Sequence, residues 1–448
     1  MRTTARLQSI LAMWLVLWLT ACGGNESGRG HVAGTVTDIK GDPVVEARVW
    51  ISGESETLTN TNGTFLLTNV SEGFKNVHAS ARISNQQWSG VALVQVFADD
   101  TTRNANILLC PENLQGSIEG FVYGPDGSRL EGARVFAGGP LSSAMAVSDR
   151  NGYYRIDGLR GGYDYPVVAS APGFLNDKKT VTVVAGQVAQ VSFALTAAGG
   201  GLPAMPSNLQ AVVWTQPRGV TRSTSPETAN ALEAIKRVVD PKRAQYRAIS
   251  RVTPTGSLIE VDLTWDYVED RTRLGYGIYR GRTSNPASVP DNAIAFLRDP
   301  LADLFADLDL NLTPEVTYYY QVVAVGANFD PDTGAGTSSP SNNASATPLS
   351  PMSTFSSPEH GDTISTSTPT LRWNPLNRAD TYRVILFEGF PEINRDPLWD
   401  RKATTNNSLV YTGPALQPGQ TYYWVVVAFS ADGNARSISP LWKFTYRP

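Results

Sequence analysis

Cysteine, histidine and charge are all scarce in this 448-residue chain, and each scarcity closes off a kind of protein. The two cysteines, Cys22 and Cys110, cannot build a disulfide framework, so each domain must be stable from its own apolar core. The three histidines, His31, His78 and His360, have no neighbours at metal-ligating spacing. No H-E-x-x-H, C-x-x-C, G-x-x-x-x-G-K or G-x-S-x-G pattern occurs. The expectation is therefore a chain without catalytic, cofactor-binding or metal-ligating residues. Charged residues make up 17% of the sequence, 37 basic against 41 acidic, which removes the electrostatic case for nucleic-acid binding. The apolar run from Ile10 to Leu19 is about half the ~20 residues a membrane-spanning helix needs.

What is abundant points one way. Thirty-nine glycines, 29 prolines and many Thr, Val and Tyr describe short strands joined by turns, so the expected class is all-β. The length is too great for a single core, and at roughly 100–200 residues per domain it suggests three or four.

The order at the N-terminus, Arg2 and Arg6 and then the apolar run, is that of an export signal. Leu19-Thr20-Ala21-Cys22 resembles the lipobox of bacterial lipoproteins. The resemblance implies cleavage before Cys22, acylation of that cysteine and a membrane anchor; several acyl chains hold firmly where one is marginal. An ordinary cleaved signal with a chance cysteine is the alternative. Gly23 follows the cysteine where an Asp is absent, which by the same resemblance implies the outer membrane or cell surface. Residues 22–30 are small and polar and read as a lipidated tether.

An internal repeat begins at His31. Gly34-Thr-Val36, Gly41 and Ala47-Arg48-Val49 recur as Gly120-Phe-Val122, Gly127 and Ala133-Arg134-Val135, every pair offset by 86 positions. Thr61-Asn62-Gly63-Thr64-Phe65 is echoed by Arg150-Asn151-Gly152-Tyr153-Tyr154, and Ala79-Ser80-Ala81 by Ala169-Ser170-Ala171. Each copy reads as strand, turn, strand, with Asn-Gly marking a hairpin. Together with Asp149, Leu159, Gly162-Tyr163 and Ala171-Pro172-Gly173-Phe174, these residues resemble the carboxypeptidase regulatory-like domain, a transthyretin-like β-sandwich, twice over. The first copy departs in having Asn60 where the second has Asp149, and in lacking Pro-Gly-Phe. The resemblance implies no peptidase activity; related sandwiches act as spacers or bind carbohydrate.

After the Gly/Pro-rich linker at 196–206 come two segments that resemble fibronectin type III domains. The first opens at Pro206-Ser-Asn-Leu209 and continues through Leu258-Ile-Glu-Val261-Asp-Leu263-Thr-Trp265, whose period-two alternation predicts a half-buried strand. Trp265 is its candidate core residue and Tyr318 its candidate corner tyrosine, bonded back to the chain. The second carries Leu371-Arg-Trp373, Thr381-Tyr382 and Pro418-Gly419-Gln-Thr421-Tyr422-Tyr423-Trp424. An insertion at about 216–252 interrupts the first of these domains and predicts a helix, with Ser225 as N-cap, Pro226 at the first position, and Leu232, Ile235 and Val239 on one face. Its Lys236, Arg237, Lys242, Arg243, Arg247 and Arg251 are basic in an otherwise acidic chain. They form either a solvated face over a stripe packed on the domain or a docking site for an acidic glycan, lipid headgroup or protein.

Three further groups carry two readings each. Asp303, Asp307 and Asp309, with Asp330 and Asp332, are turn residues or calcium ligands. Glu269 and Asp270 are adjacent on a strand and so a poor acid–base pair. Trp88 and Trp399 have polar neighbours and are either exposed sugar platforms or edge-strand packing. Cys110 ends an apolar stretch and is a buried thiol or an intermolecular bridge.

The sequence therefore predicts tandem β-sandwiches: signal 1–21, tether 22–30, transthyretin-like domains at 31–113 and 114–198, and type III-like domains at 203–348 and 349–448. The expected role is that of a lipid-anchored envelope protein, non-catalytic, serving adhesion, scaffolding or spacing. Its expected partners are the membrane through its anchor and an envelope protein or polysaccharide, with no nucleic acid; carbohydrate binding is the alternative role. Cys22→Ser is expected to abolish incorporation of labelled fatty acid and to release the chain from the membrane fraction. A variant that stays membrane-bound would remove the lipid from the account.

Overall fold

A computed structural model describes residues 28–98, 101–103, 105–139, 142–217, 226–242, 250–252, 259–297, 299–309, 311–326, 335–352, 355–392 and 395–448. The signal and lipobox lie outside the described residues, as do Ser225, Arg243, Arg247, Asp330 and Asp332. The chain is all-β, built as tandem sandwiches, with one α-helix among the described residues.

The first sandwich contains β1 (Arg29–Thr37), β2 (Arg48–Ile51), β3 (Ser55–Leu58), β4 (Thr64–Ser71), β5 (Gly73–Ile83), β6 (Gln86–Val96), β7 (Thr101–Arg103), β8 (Ile107–Leu108) and β9 (Cys110–Pro111). The second contains β10 (Gln115–Tyr123), β11 (Arg134–Gly138), β12 (Ser143–Val147), β13 (Tyr153–Arg160), β14 (Tyr163–Ser170), β15 (Asp177–Val183), β16 (Val188–Gln190) and β17 (Phe193–Ala194). The third holds β18 (Ser207–Thr215), α1 (Pro226–Val239), β19 (Ser250–Val252), β20 (Ile259–Asp266), β21 (Arg273–Gly281), β22 (Ala293–Leu297), β23 (Leu304–Asp307), β24 (Tyr318–Gly326) and β25 (Ala344–Ala346). The fourth holds β26 (Phe355–Ser357), β27 (Asp362–Ile364), β28 (Thr370–Trp373), β29 (Thr381–Glu388), β30 (Trp399–Thr404), β31 (Ser408–Val410), β32 (Thr421–Phe429), β33 (Ala435–Ile438) and β34 (Trp442–Tyr446).

The repeat in the sequence is a repeat in register. β1 pairs antiparallel with β4 and parallel with β8, aligning Gly34 with Phe65 and Val36 with Ile107. β10 does the same with β13 and β17, aligning Gly120 with Tyr154 and Val122 with Phe193. A Cβ on Gly34 would sit 2.2 Å from the Ala105 carbonyl, and one on Gly120 1.8 Å from that of Val191, so neither position accepts a side chain where the strands cross so closely. The turns match as well. Asn60 Oδ1 accepts the amides of Asn62 and Thr64, and Asp149 Oδ1 those of Asn151 and Tyr153. Asn for Asp is thus a neutral exchange, because the turn needs only an acceptor.

The copies diverge where the sequences do. Lacking Pro-Gly-Phe, the first copy runs β5 straight into β6 through Ser84-Asn85, both at positive φ (49° and 64°), as a tight hairpin turn requires. In the second, Pro172-Gly173-Phe174 opens a loop that carries Asn176 to the third sandwich, where its side-chain Nδ2 donates to Arg273 O and Arg271 Nε donates to its main-chain carbonyl.

These contacts make the molecule something other than a string of separate spacers. The long hairpin β5–β6 lies against the second sandwich, where Asn76 exchanges two hydrogen bonds with the Met145 backbone at 2.8 and 2.9 Å. Phe74 meets Phe136 edge-on, and Val91 joins the second core. β7 pairs with β19, which also pairs with β23, so the insertion ties the first sandwich to the third. The third and fourth share one apolar cluster through Leu349 and Met352, and β18 pairs in parallel with β33.

The insertion does form its helix, ending at Val239 before Asp240-Pro241. Its apolar stripe does not stay within the third domain. Leu232 and Ile235 pack with Trp214 of β18 and with Ile385, Phe387, Val425, Val427 and Ile438 of the fourth sandwich. Arg383 of β29 donates to the Val238 and Val239 carbonyls at the helix C-terminus, where an unpaired carbonyl row attracts a cation. The alternation of β20 correctly marks a strand, yet its polar face is also covered: Glu260 and Asp262 are 6% and 9% exposed beneath this helix.

His78 of β5 stacks on Trp50 (centroids 5.4 Å apart), and Arg48 lies over the other ring. Burial holds the imidazole below its ordinary value of 6.5, so folding favours its neutral form. A lowered folded-state pKa means this contribution is whole above 6.5 and is lost as pH falls below it towards the folded value. Thermal unfolding followed from pH 7 downwards is expected to show a stability loss starting near 6.5 that His78→Phe removes. An unchanged acid limb in that variant would assign the loss to carboxylates.

Candidate functional site

The sequence-predicted residues scatter, and several are packed away. Lys236 is 3% exposed and its ammonium bonds Glu260 at 2.5 Å while lying 5.8 Å from the Trp214 ring centre. It is a buried structural cation, unavailable to an acidic ligand. Arg237 pairs with Glu233 one turn back, at 3.0 Å, and is half-buried. Lys242 is exposed just past the helix. Helical period explains the split, since Lys236 follows Leu232 by four residues on the packed stripe.

Trp88 of β6 is half-buried against the first core, and its indole N–H is shielded from solvent without a partner. Trp399 of β30 is half-buried and meets Tyr411 edge-on at 5.2 Å. Both rings serve packing. Cys110 is free and 3% exposed, and burial pushes its thiol up, which leaves no reachable sulfur for an intermolecular bridge. Asp307 and Asp309 are both held by Arg280, at 2.7 and 2.5 Å, and Tyr320 donates to Asp307. A guanidinium thus stands between the carboxylates considered for calcium. Glu269 and Asp270 lie between β20 and β21 and not on a strand; Asp270 accepts the Thr272 amide within that turn and the Ala204 amide of the linker. Trp265, Trp373 and Trp424 are core residues, 5%, 1% and 0% exposed. Tyr318 accepts the Thr313 amide and donates to Asn311 O, the expected corner.

A denser constellation lies on the outer face of β10, β13 and β16. Gly116, Ile118, Gly120 and Val122 point into the second core, so Ser117, Glu119, Phe121 and Tyr123 point out. The register sets Phe121 opposite Tyr153 and Glu119 opposite Arg155. Phe121 and Tyr153 meet at 5.6 Å and 61°, and the Arg129 guanidinium lies 4.0 Å from the Phe121 centre and 4.6 Å from that of Tyr123. Glu119 accepts from Tyr153 Oη (2.8 Å), Arg155 (2.6 Å) and Gln190 (2.7 Å). Asp157 accepts from Arg155 (2.8 Å) and Ser117 (2.6 Å). Hydrogen bonds from Gln190, Tyr153 and Arg155 hold the Glu119 carboxyl below its usual range, while the same bond raises the Tyr153 hydroxyl. The result is a flat, open, pre-ordered surface of aromatic rings and planar polar groups. Its signal was present in the sequence as Ser-x-Glu-x-Phe-x-Tyr alternating with the core positions; tryptophan drew attention instead. A shallow pocket of about 430 Å³ at the end of the same sandwich, lined by Leu114, Arg160, Thr182 and Val184, has few polar groups to orient a ligand.

Comparison with known proteins finds a family match in the second sandwich. Residues 117–196 match the carboxypeptidase regulatory-like domain, a regulatory-like and not a catalytic family. A stretch of 159 residues is 27% identical to chitinase ChiA of Flavobacterium johnsoniae, taking in 35% of this chain and 10% of that protein. The chain therefore spans about a tenth of the length of that relative. Among solved structures, the FN1–FN3 domains of chicken CNTN1 align over 84% of this chain and 99% of theirs, at 11% identity and TM-score 0.29. The minor pilin GBS52 of Streptococcus agalactiae aligns over 40% of this chain and 100% of its own, at 14% and 0.17. A Fn3-like protein from Clostridium thermocellum aligns over 36% and 100%, at 16% and 0.17.

Lys236→Ala, which removes the buried ammonium bonded to Glu260, is expected to destabilise the distal pair of sandwiches by about 3–5 kcal/mol in denaturant unfolding. Replacing both partners by Met and Leu should recover most of that loss. A small effect of the single change would show that Glu260 reaches water.

Proposed function

We propose that this protein is a lipid-anchored component of the cell envelope that works as a non-catalytic adhesion or scaffold module, presenting β-sandwich surfaces to a partner. The observation that supports it best is that neighbouring sandwiches are joined by specific pairings: Asn76 with Met145, Asn176 with Arg273, β7 with β19 and β18 with β33. Such joints hold faces at set distances, which suits presentation and differs from a loose spacer. Cys22 supplies the anchor, so the first sandwich stands close to the membrane or cell surface. A second reading, a carbohydrate-binding surface lipoprotein, draws on the half-buried aromatic cluster in the outer face of β10 and β13 and on the likeness to part of a chitinase.

The test is recovery of the tagged full chain from envelopes of its host. Membrane fractionation together with stoichiometric retention of an envelope protein is expected. Turnover of any envelope polymer by the purified chain would overturn the non-catalytic reading, and retention of polymer alone would favour the second.

A further inference from the structure

The two repeat copies share a fold but not a surface, and this contrast isolates a site. Where the second copy has Glu119, Phe121 and Tyr123 on β10, the first has Ala33, Thr35 and Thr37 on β1, each offset by 86. Where the second has Tyr153 and Arg155, the first has Thr64 and Leu66, and Pro43 stands for Arg129. The registers are the same, so the sandwich folds without aromatic or charged groups on this face. The first copy's face is also partly covered, with α1 against β4 and Thr35 and Thr64 only 7% and 2% exposed. The second copy's face is open, with the Arg155 side chain 40% and Asp157 61% exposed. Phe121, Tyr123 and Tyr153 are half-buried in this face, with Arg129 over the first two, and partly open rings that folding does not require mark a surface for binding.

We infer that the outer face of β10 and β13, centred on Phe121, Tyr153 and Arg129 with Glu119 and Arg155, binds a neutral polysaccharide. Charge argues for a neutral ligand, because Arg129 and Arg155 are offset by Glu119 and Asp157, which they or their neighbours already bond. A net field that would draw an acidic polymer or nucleic acid is absent from this patch. Ser117, Glu119, Phe121, Tyr123, Tyr153, Arg155 and Asp157 include no aliphatic side chain, and Val188 stands alone at the β16 edge beside Ser117, so the face lacks the broad apolar centre of a protein interface. Ring faces suit the C–H faces of sugars, and the paired carboxylate, guanidinium and carboxamide edges suit hydroxyl pairs. The flat strand surface accepts a chain lying across it. This inference rests on the second, carbohydrate-binding reading and gives it a surface and a ligand class.

The full chain, purified in detergent, would be depleted onto insoluble chitin and insoluble cellulose and run through gels containing soluble β-1,3-glucan, with an anionic polyuronate as control. Saturable binding to at least one neutral polymer, unaffected by high salt, is expected. Phe121→Ala and Tyr153→Ala should each weaken it about tenfold or more, the scale of one lost stacking contact, with unchanged melting temperature. Tyr153→Phe should retain more binding than Tyr153→Ala, and Val147→Ala on the opposite sheet should bind as the parent does. No retention on any of the three neutral polymers, or retention that survives the double variant, overturns the inference while leaving the scaffold reading intact. Binding only to the polyuronate, abolished by salt, also overturns it. Release of reducing ends would instead sink the non-catalytic reading.

Discussion

The distal half of the molecule depends on the burial of Trp214. Its ring is fully enclosed, its N–H donates to Asp262 at 3.0 Å, and the Lys236 and Arg436 cations lie over it. The strand that carries it, β18, pairs with β20 of its own sandwich and with β33 of the next. The inserted helix closes over this seam. One aromatic residue thus couples two sheets and a helix, and the ionic groups along the seam are paired: Lys236 with Glu260, both buried, and Arg436 with Asp240 and Arg383 with Asp400, partly exposed. Such pairs add little net stability, but losing one partner leaves a buried charge, so they select a single docking geometry.

The proximal half shows how a duplicated fold is held constant while its surfaces change. The positions that repeat are those the backbone demands: glycines where strands cross within van der Waals contact, an acceptor at the turn, and a hydroxyl that binds two backbone groups. Thr59 takes the Ala47 amide and the Val44 carbonyl, and Ser148 takes those of Ala133 and Leu130. The outward positions are free of such demands. One copy has a plain, partly covered face, while the other carries an ordered aromatic one.

Much of this was legible in the sequence for local reasons. Period-two alternation, Asn-Gly turns, the 86-residue offset, the core tryptophans and the corner tyrosine all follow from contacts between near neighbours in one sheet. The helix was legible too, from its stripe and its proline punctuation. The candidate site was only half legible. Alternation along β10 places Phe121 and Tyr123 outward, but the alignment with Tyr153 and Arg155 needs the register, and the cap of Arg129 needs the turn to fold back. Trp88 misled because polar neighbours in sequence do not report what the hairpin covers.

The sequence by itself determined the element types, the turns and the division of each strand into a core face and an outer face, because these depend on residues a few positions apart. Only the tertiary structure decided which outer faces stay open. Glu260 and Asp262 alternate as solvent-facing residues do, as do Glu119 and Phe121, yet the first pair is buried, against Lys236 of α1 and Trp214, while the second remains partly open. Coverage is set by segments tens of residues away that settle wherever apolar area and paired charge can be buried together, and no local pattern encodes that partner.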